Sequence, residues 1–173
     1  MIRKFLTFFS LSLALTSCST ILTQTTGDEG LREDPYIRTA GTVVEDQSIE
    51  TKVRVNMQSQ QPAFRDASFN VTSHNGIVLL VGQVQSEALK QQAAEIAAAA
   101  SVHTRRVHNE LEIAGSRSLL SRSNDTWLAT KVRTQLAAND DINSNRMQVI
   151  ANNGAIFLMG IVNRSEGERA VQL

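Results

Sequence analysis

The stretch VTSHNGIVLLVG, residues 71–82, has a counterpart in VIANNGAIFLMG, residues 149–160. In both stretches an Asn-Gly pair separates two β-like runs, and a second glycine follows six residues after the first. An Asn-Gly pair readily adopts the positive φ angles of a tight hairpin turn. Each stretch therefore predicts a β-hairpin, and the pair predicts that one structural unit occurs twice.

A helix is predicted before each hairpin. Residues 51–54 and residues 130–133 both read TKVR, 79 positions apart. Apolar residues recur at every fourth position around both copies, as on one stripe of an amphipathic helix. The stripes are Ile49, Val53 and Met57 in the first copy and Leu128, Val132 and Leu136 in the second. Asp46 is the predicted N-cap of the first helix, and Ser123 or Asp125 that of the second.

The first copy continues with an alanine-rich helix over residues 87–100 and an alternating strand over residues 107–113. Its order is therefore helix, strand, hairpin, strand, helix, strand. Helices on one face of a small mixed sheet define an α+β sandwich. We expect one domain over residues 46–114, a linker over residues 115–123 and a second domain over residues 124–173.

The second copy is shorter than the first. Leu173 aligns with Glu95, so the rest of the second helix and the last strand have no counterpart. Such a unit is expected to leave one strand edge and half of an apolar face uncovered. The sequence leaves open whether this is a short variant or a piece of a longer chain.

The N-terminal residues predict a lipoprotein signal peptide over residues 1–17. Arg3 and Lys4 precede an apolar run over residues 5–15, too short to cross a bilayer but suitable for a signal-peptide core. The run ends in LTSC at residues 15–18, which looks like a bacterial lipobox, and Cys18 is the only cysteine of the chain. We therefore expect Cys18 to be lipidated and residues 18–45 to form a polar tether. The alternative is an ordinary secretory signal with an incidental cysteine.

Composition and motifs argue against several classes of function. The chain has 17 basic and 17 acidic residues, so it lacks the positive field of a nucleic-acid-binding protein. The three histidines, His74, His103 and His108, lack the spacing of a metal site. No nucleophile, phosphate-loop or paired-carboxylate motif is present. We expect no catalytic residue, no metal, no cofactor and no small-molecule substrate.

The paired hairpins resemble the BON domain, and the whole chain resembles the dual BON-domain outer-membrane lipoproteins of Gram-negative bacteria. The stretches that carry the resemblance are residues 41–46, 123–127, 130–133 and 157–160, together with the lipobox. The resemblance implies a lipid-anchored protein of the outer membrane that faces the periplasm and is not an enzyme. It also implies binding of anionic phospholipid through the first helix of the second BON domain. Accumulation at division sites, support of outer-membrane integrity and association with the outer-membrane protein assembly machinery are further implications.

The repeat indicates which residues of that helix serve something besides the fold. Trp127 aligns with Ser48, so the fold does not require an aromatic side chain at this position. The predicted phospholipid-binding residues are Trp127, Lys131, Arg133, Thr134 and Ala138. The alternative is that Trp127 packs against the other domain or the linker leucines. Ala137 stands where the family tends to have leucine, which predicts weaker insertion into a bilayer.

Two other functions are compatible with this sequence. The chain could be an adaptor that docks an envelope complex through an exposed sheet or helix face. It could also be a soluble periplasmic BON protein of osmotic stress, although the lipobox argues against that reading.

Overall fold

Helix α1 begins earlier than its sequence predicts. The structure, a computed structural model, describes residues 34–114 and 119–173, and in residues 119–122 the backbone alone. Helix α1 runs Ala40–Gln60, and the side chain of Thr39 accepts a hydrogen bond from the Thr42 amide at 3.1 Å. The predicted N-cap, Asp46, lies inside the helix, and residues 40–45 are helical although the sequence indicated tether. Gly41, Val43 and Val44 are weak helix formers, so helix propensity did not indicate that residues 40–45 are helical.

The remaining elements of the first domain follow the predicted order. They are α2 (Ala63–Asp66), β1 (Ser68–His74), β2 (Ile77–Val84), α3 (Glu87–Ala99) and β3 (Arg106–Ile113). Strand β2 is central, antiparallel to β1 and parallel to β3. Asn75 and Gly76 have φ angles of 53° and 74°, which confirms the predicted hairpin turn.

One face of this sheet packs against α1 and α3. The predicted stripe of Ile49, Val53 and Met57 is completely buried there, which confirms the helical periodicity. Alternate residues of β2 supply the other half of the core, namely Val78, Leu80 and Val84. The sandwich of helices on a small mixed sheet is the α+β class that the sequence predicts.

The second domain repeats the first part of this arrangement. Its elements are α4 (Leu119–Ala137), a 3-10 turn (Ser144–Arg146), β4 (Met147–Asn152), β5 (Ala155–Gly160) and α5 (Arg164–Val171). Asn153 and Gly154 have φ angles of 52° and 80°, so the second hairpin is also confirmed. Helix α4 begins at Leu119, and neither Ser123 nor Asp125 is its N-cap. Residues 119–123 of the predicted linker are therefore helical, while residues 115–118 lie outside the described ranges.

The two sheets pack face to face within the unit formed by residues 36–173. Leu79 and Val81 on the outer face of β2 contact a cluster that contains Ile150, Phe157 and Met159. The second face of the β4–β5 hairpin is therefore covered by the first domain. The expected exposure concerns the face that packs on α4, where Ile156 and Leu158 of β5 are only partly buried. Strand β5 is apolar on both faces because each face has a partner, α4 on one side and β2 on the other. Strand β4 contributes Ile150 to the contact with β2.

Candidate functional site

An exposed strip runs along α4, on the side away from its core. Trp127 is 61% exposed, and the Lys131 Nζ atom lies 5.6 Å from the centroid of its ring, a cation–π contact. Thr134 and Ala138 are exposed one and two turns further along. The spacing of four, three and four residues brings all four side chains to one flank of the helix. We call these four residues the Trp127 strip.

The threonines on this side of α4 present little polarity to their surroundings. The Thr134 hydroxyl donates to the Thr130 carbonyl at 3.0 Å, and the Thr130 hydroxyl donates to the Thr126 carbonyl at 2.9 Å. Because both hydroxyls bond to the helix itself, their methyl groups remain to meet the surroundings. Around the aromatic ring the strip is therefore apolar, with one ammonium group beside it.

Arg133 has a different position from the other predicted lipid-binding residues. Its Nη2 atom donates to the Val149 carbonyl at 2.7 Å, on the edge of β4. It lies six residues after Trp127 and hence on another side of α4. The equivalent residue of the first domain, Arg54, also reaches the neighbouring strand, at Asn70 Oδ1. The recurrence indicates that this arginine fastens helix to hairpin in both domains.

The exposed surface of α4 carries positive charge and no exposed carboxylate. Between residues 123 and 138 the one acidic residue is Asp125, which is buried. Its carboxylate accepts hydrogen bonds from the Asn153 and Gly154 amides at 3.0 and 2.8 Å. The next acidic residues, Asp140 and Asp141, follow the end of the helix. The exposed surface of α4 between residues 123 and 134 is therefore the part best suited to an anionic partner.

Asp46 binds the hairpin turn of the first domain, as Asp125 binds that of the second. The sequence predicted Asp46 as a helix N-cap and did not reveal this contact. It is 3% exposed, and its carboxylate accepts hydrogen bonds from Arg38, Ser73, Asn75 and Gly76 at 2.7–2.9 Å. Burial acts to raise the pKa of Asp46. The four hydrogen bonds, from Gly76 foremost, outweigh burial and hold the pKa below its usual value. The sequence does contain a signal for this contact, since an aspartate precedes the Asn-Gly pair by 29 residues in the first copy and by 28 in the second.

The three histidines all belong to the first domain. His74 is buried at the end of β1, where burial and the positive charge of Arg38 lower its pKa and favour the neutral ring. His103 lies in the loop before β3 and His108 within β3. Within residues 34–114 and 119–173, no three His, Cys, Asp or Glu side chains cluster as a metal site would require. None of the helices in these ranges has the length and hydropathy needed to cross a bilayer.

Two α+β units with the same order of elements that share an interface define a tandem-domain protein. The BON domain family matches residues 45–115 and 124–173, and the chain belongs to this family, as its sequence predicts.

Two known proteins are similar to the chain over most of its length. It is 31% identical over 147 residues to a protein named 21 kDa hemolysin from Actinobacillus pleuropneumoniae, covering 85% of this chain and 74% of that protein. It is also 31% identical over 136 residues to the outer membrane lipoprotein DolP of Haemophilus influenzae, covering 79% of this chain and 70% of that protein.

Proposed function

We propose that this chain is a non-enzymatic lipoprotein of the outer membrane that binds anionic phospholipid through the Trp127 strip. Lipid on Cys18 anchors it to the periplasmic face of that membrane, and residues 19–39 tether the folded domains. Binding at this surface supports outer-membrane integrity, in particular at division sites. The observation that carries the proposal is a 61% exposed tryptophan stacked with a lysine on a helix face without exposed carboxylates.

Comparison of the two copies gives no structural reason for a tryptophan at position 127. The first domain folds with Ser48 at the matching position, so the domain fold tolerates a small polar residue there. Tryptophan is enriched where headgroups meet acyl chains, because its ring is apolar and its indole N–H can still bond to water or headgroups. Lys131 beside the ring adds the attraction to anionic headgroups that neutral lipid lacks.

The expected affinity is low for the domains alone. Burial of a tryptophan contributes at most a few kcal/mol, and each cation near an anionic surface about 1 kcal/mol. An anchor at Cys18 holds the membrane at high effective concentration, so a weak contact suffices. In this account the anchor fixes the location and the Trp127 strip selects the lipid and orients the domains.

The relatives support the coarser part of the proposal. A protein named as an outer membrane lipoprotein matches 79% of this chain. The lipobox and the tether up to residue 33 lie outside the described residues, so they enter the proposal from the sequence alone.

Trp127 is the only tryptophan of the chain, so its own fluorescence tests the proposal. The experiment uses the Cys18→Ser chain, which lacks the lipid, and vesicles of phosphatidylcholine with or without phosphatidylglycerol. Without vesicles we expect red-shifted emission, typical of an exposed indole. Anionic vesicles should shift the emission to the blue, and neutral vesicles should do so much less.

A Lys131→Gln variant should need about fivefold more anionic lipid for the same shift. Lys52→Gln, which removes the equivalent exposed lysine of α1, is the matched control and should leave the titration unchanged. Emission that ignores anionic lipid would contradict the proposal and favour a protein–protein adaptor. Blue-shifted emission without lipid would contradict the exposure of Trp127 on which the proposal rests.

A further inference from the structure

A second exposed apolar side chain stands at the tip of a hydrogen-bonded loop of the first domain. Val102 is 95% exposed, more than any other large apolar residue in the described parts of the chain. It lies in the turn between α3 and β3. The turn is closed by a hydrogen bond from the Thr104 amide to the Ser101 carbonyl at 3.0 Å. The Ser101 hydroxyl also accepts from the His103 amide and donates to Glu45 of α1.

The base of this loop is fastened as well. The Arg105 amide donates to the Gly76 carbonyl at 2.7 Å, which ties the loop to the β1–β2 turn. These hydrogen bonds fix the loop in a conformation that leaves the Val102 side chain exposed to water. A single exposed valine needs no explanation on a surface, but one held at the apex of a bonded turn has a definite direction.

Cations follow Val102 directly. His103, Arg105 and Arg106 are all exposed, and the 14 residues between Glu95 and Glu110 contain no acidic side chain. An apolar tip followed by basic residues is the arrangement that suits an anionic bilayer, since the tip enters the interface while the cations meet headgroups. A neutral or basic partner would leave the two arginines without complementary charge.

Helix α1 extends the same end of the domain. Gly41, Thr42 and Glu45 share a small cavity with His103 and Arg105, so the start of α1 lies against the loop. Val44, one residue before Glu45, is 65% exposed. This is the end at which the chain enters the first domain from the predicted tether.

The loop and the Trp127 strip lie toward opposite ends of β3. The loop leads into Arg106, the first residue of β3, whereas Glu112 near its end accepts a hydrogen bond from Asn153 at 2.7 Å. Asn153 belongs to the turn held by Asp125, two residues before Trp127. Strand β3 has eight residues, which corresponds to about 25 Å.

We infer that residues 101–106 form a second membrane-contact site, which places Val102 in the interface of an anionic bilayer and Arg105 and Arg106 against its headgroups. The inference rests on the proposed function, because it assigns the same lipid class to a second surface. Simultaneous contact at both sites lays β3 along the membrane plane. The two contacts together fix an orientation that one strip on a helix leaves free to rotate.

The test compares two reporters in the same chain. Cys18 is the only cysteine, so the Cys18→Ser, Val102→Cys chain takes one environment-sensitive dye at position 102. Trp127 reports independently on α4. With phosphatidylglycerol vesicles we expect both Trp127 emission and dye emission to shift to the blue over the same lipid concentrations. A dye on Gln91→Cys, exposed on α3, is the matched control and should not respond.

Unlabelled variants remove the influence of the dye. Val102→Glu should weaken binding to anionic vesicles about tenfold, and Arg105→Gln about fivefold. Val171→Glu is the matched control, since Val171 is 79% exposed and lies in α5, outside the loop. That variant should bind within about twofold of the parent chain.

The outcomes separate the two proposals. If Trp127 responds to vesicles while the dye at position 102 and the Val102→Glu variant behave like their controls, the second site is refuted and the proposed function stands. If neither reporter responds, both proposals fail. An equal shift of the dye emission at position 102 with neutral and with anionic vesicles would refute the role of the two arginines.

Discussion

Asp46→Asn removes two of the four hydrogen bonds that the Asp46 side chain accepts. One carboxylate oxygen of Asp46 accepts from Ser73 and Gly76, and the other accepts from Asn75 and Arg38. An amide retains one oxygen and turns its NH₂ group toward the donors of the other pair. Two hydrogen bonds are therefore lost, and the buried donors are left facing a donor.

The expected loss of stability is about 3 kcal/mol. Each hydrogen bond to a charged group contributes roughly 1.5–3 kcal/mol, and two are lost. The lower end applies because the Arg38 side chain is 25% exposed and can bond to water instead. A domain of this kind has a free energy of unfolding of about 5–15 kcal/mol, so the change is large.

Urea denaturation followed by far-UV circular dichroism measures this loss. The midpoint should fall while the dependence of the free energy on urea stays the same, since the folded surface is unchanged. Asp66→Asn makes the same change of charge at an exposed position and should cost less than about 0.5 kcal/mol. A loss below about 1 kcal/mol for Asp46→Asn would refute the reasoning, because the bonds would then contribute no more than a surface contact.

The effect should also depend on pH in one direction. The pKa of Asp46 in the folded protein is below the 3.8 of an unperturbed aspartate. Its ionised form therefore stabilises the fold at pH values above 3.8, and this stabilisation is lost as the pH falls through the lower, folded pKa. The difference in stability between the parent chain and Asp46→Asn should thus be full at pH 7 and shrink below about pH 4.

Three further changes have expected outcomes. Gly76→Ala should lower the free energy of unfolding by at least about 2 kcal/mol more than Gly154→Ala, as measured by urea denaturation. Both glycines have positive φ, but an added Cβ would lie 2.4 Å from the His103 carbonyl oxygen at Gly76 and in open space at Gly154. Equal losses for the two variants would contradict this. Arg133→Gln should lower the stability of the second domain by about 1 kcal/mol through loss of the bond to Val149, and should weaken vesicle binding less than Lys131→Gln; the reverse order would return Arg133 to the lipid site. Cys18→Ala should move the protein from the membrane fraction to the soluble fraction, and full retention in the membrane fraction at high salt would contradict the anchor.

Much of the fold could be predicted because the sequence repeats its local signals. The Asn-Gly pairs fixed both hairpin turns, and the apolar spacing fixed which side of each first helix is buried. The helix starts could not be predicted in the same way. Asp46 and Asp125 resemble N-caps by sequence, but their carboxylates bond to the turn of a hairpin 28–30 residues later. Only the tertiary arrangement reveals that partner.

The packing of one domain on the other was also missed, although a signal existed. Residues 77–81 and 155–159 are apolar without alternation, which is typical of a strand covered on both faces. One face of each strand packs on its own helix, and the other face meets the neighbouring sheet. Periodicity alone cannot say which partner covers the second face, because a helix and a sheet bury the same residues.

The candidate site was predicted in part. Comparison of the repeats singled out Trp127, since Ser48 occupies its place in the first domain. The same comparison did not separate Lys131 from Arg133, because both cations occur in both copies. Their roles differ only through what each side chain reaches, the Trp127 ring for one and the Val149 carbonyl for the other. The exposed loop at Val102 had no sequence signal, because one valine before two arginines is common in any chain.

The most direct test of the central claim is co-sedimentation of the Cys18→Ser chain with phosphatidylglycerol vesicles, compared between Trp127→Glu and Ser48→Glu. Both variants place a glutamate at equivalent positions of the two domains, and both should retain the circular dichroism spectrum of the parent chain. We expect Trp127→Glu to abolish sedimentation with the vesicles, because it removes the aromatic contact and adds a negative charge against an anionic surface. Ser48→Glu should sediment like the parent. Equal sedimentation of both variants, or loss of the folded spectrum in Trp127→Glu, would contradict the claim that Trp127 serves lipid rather than the fold.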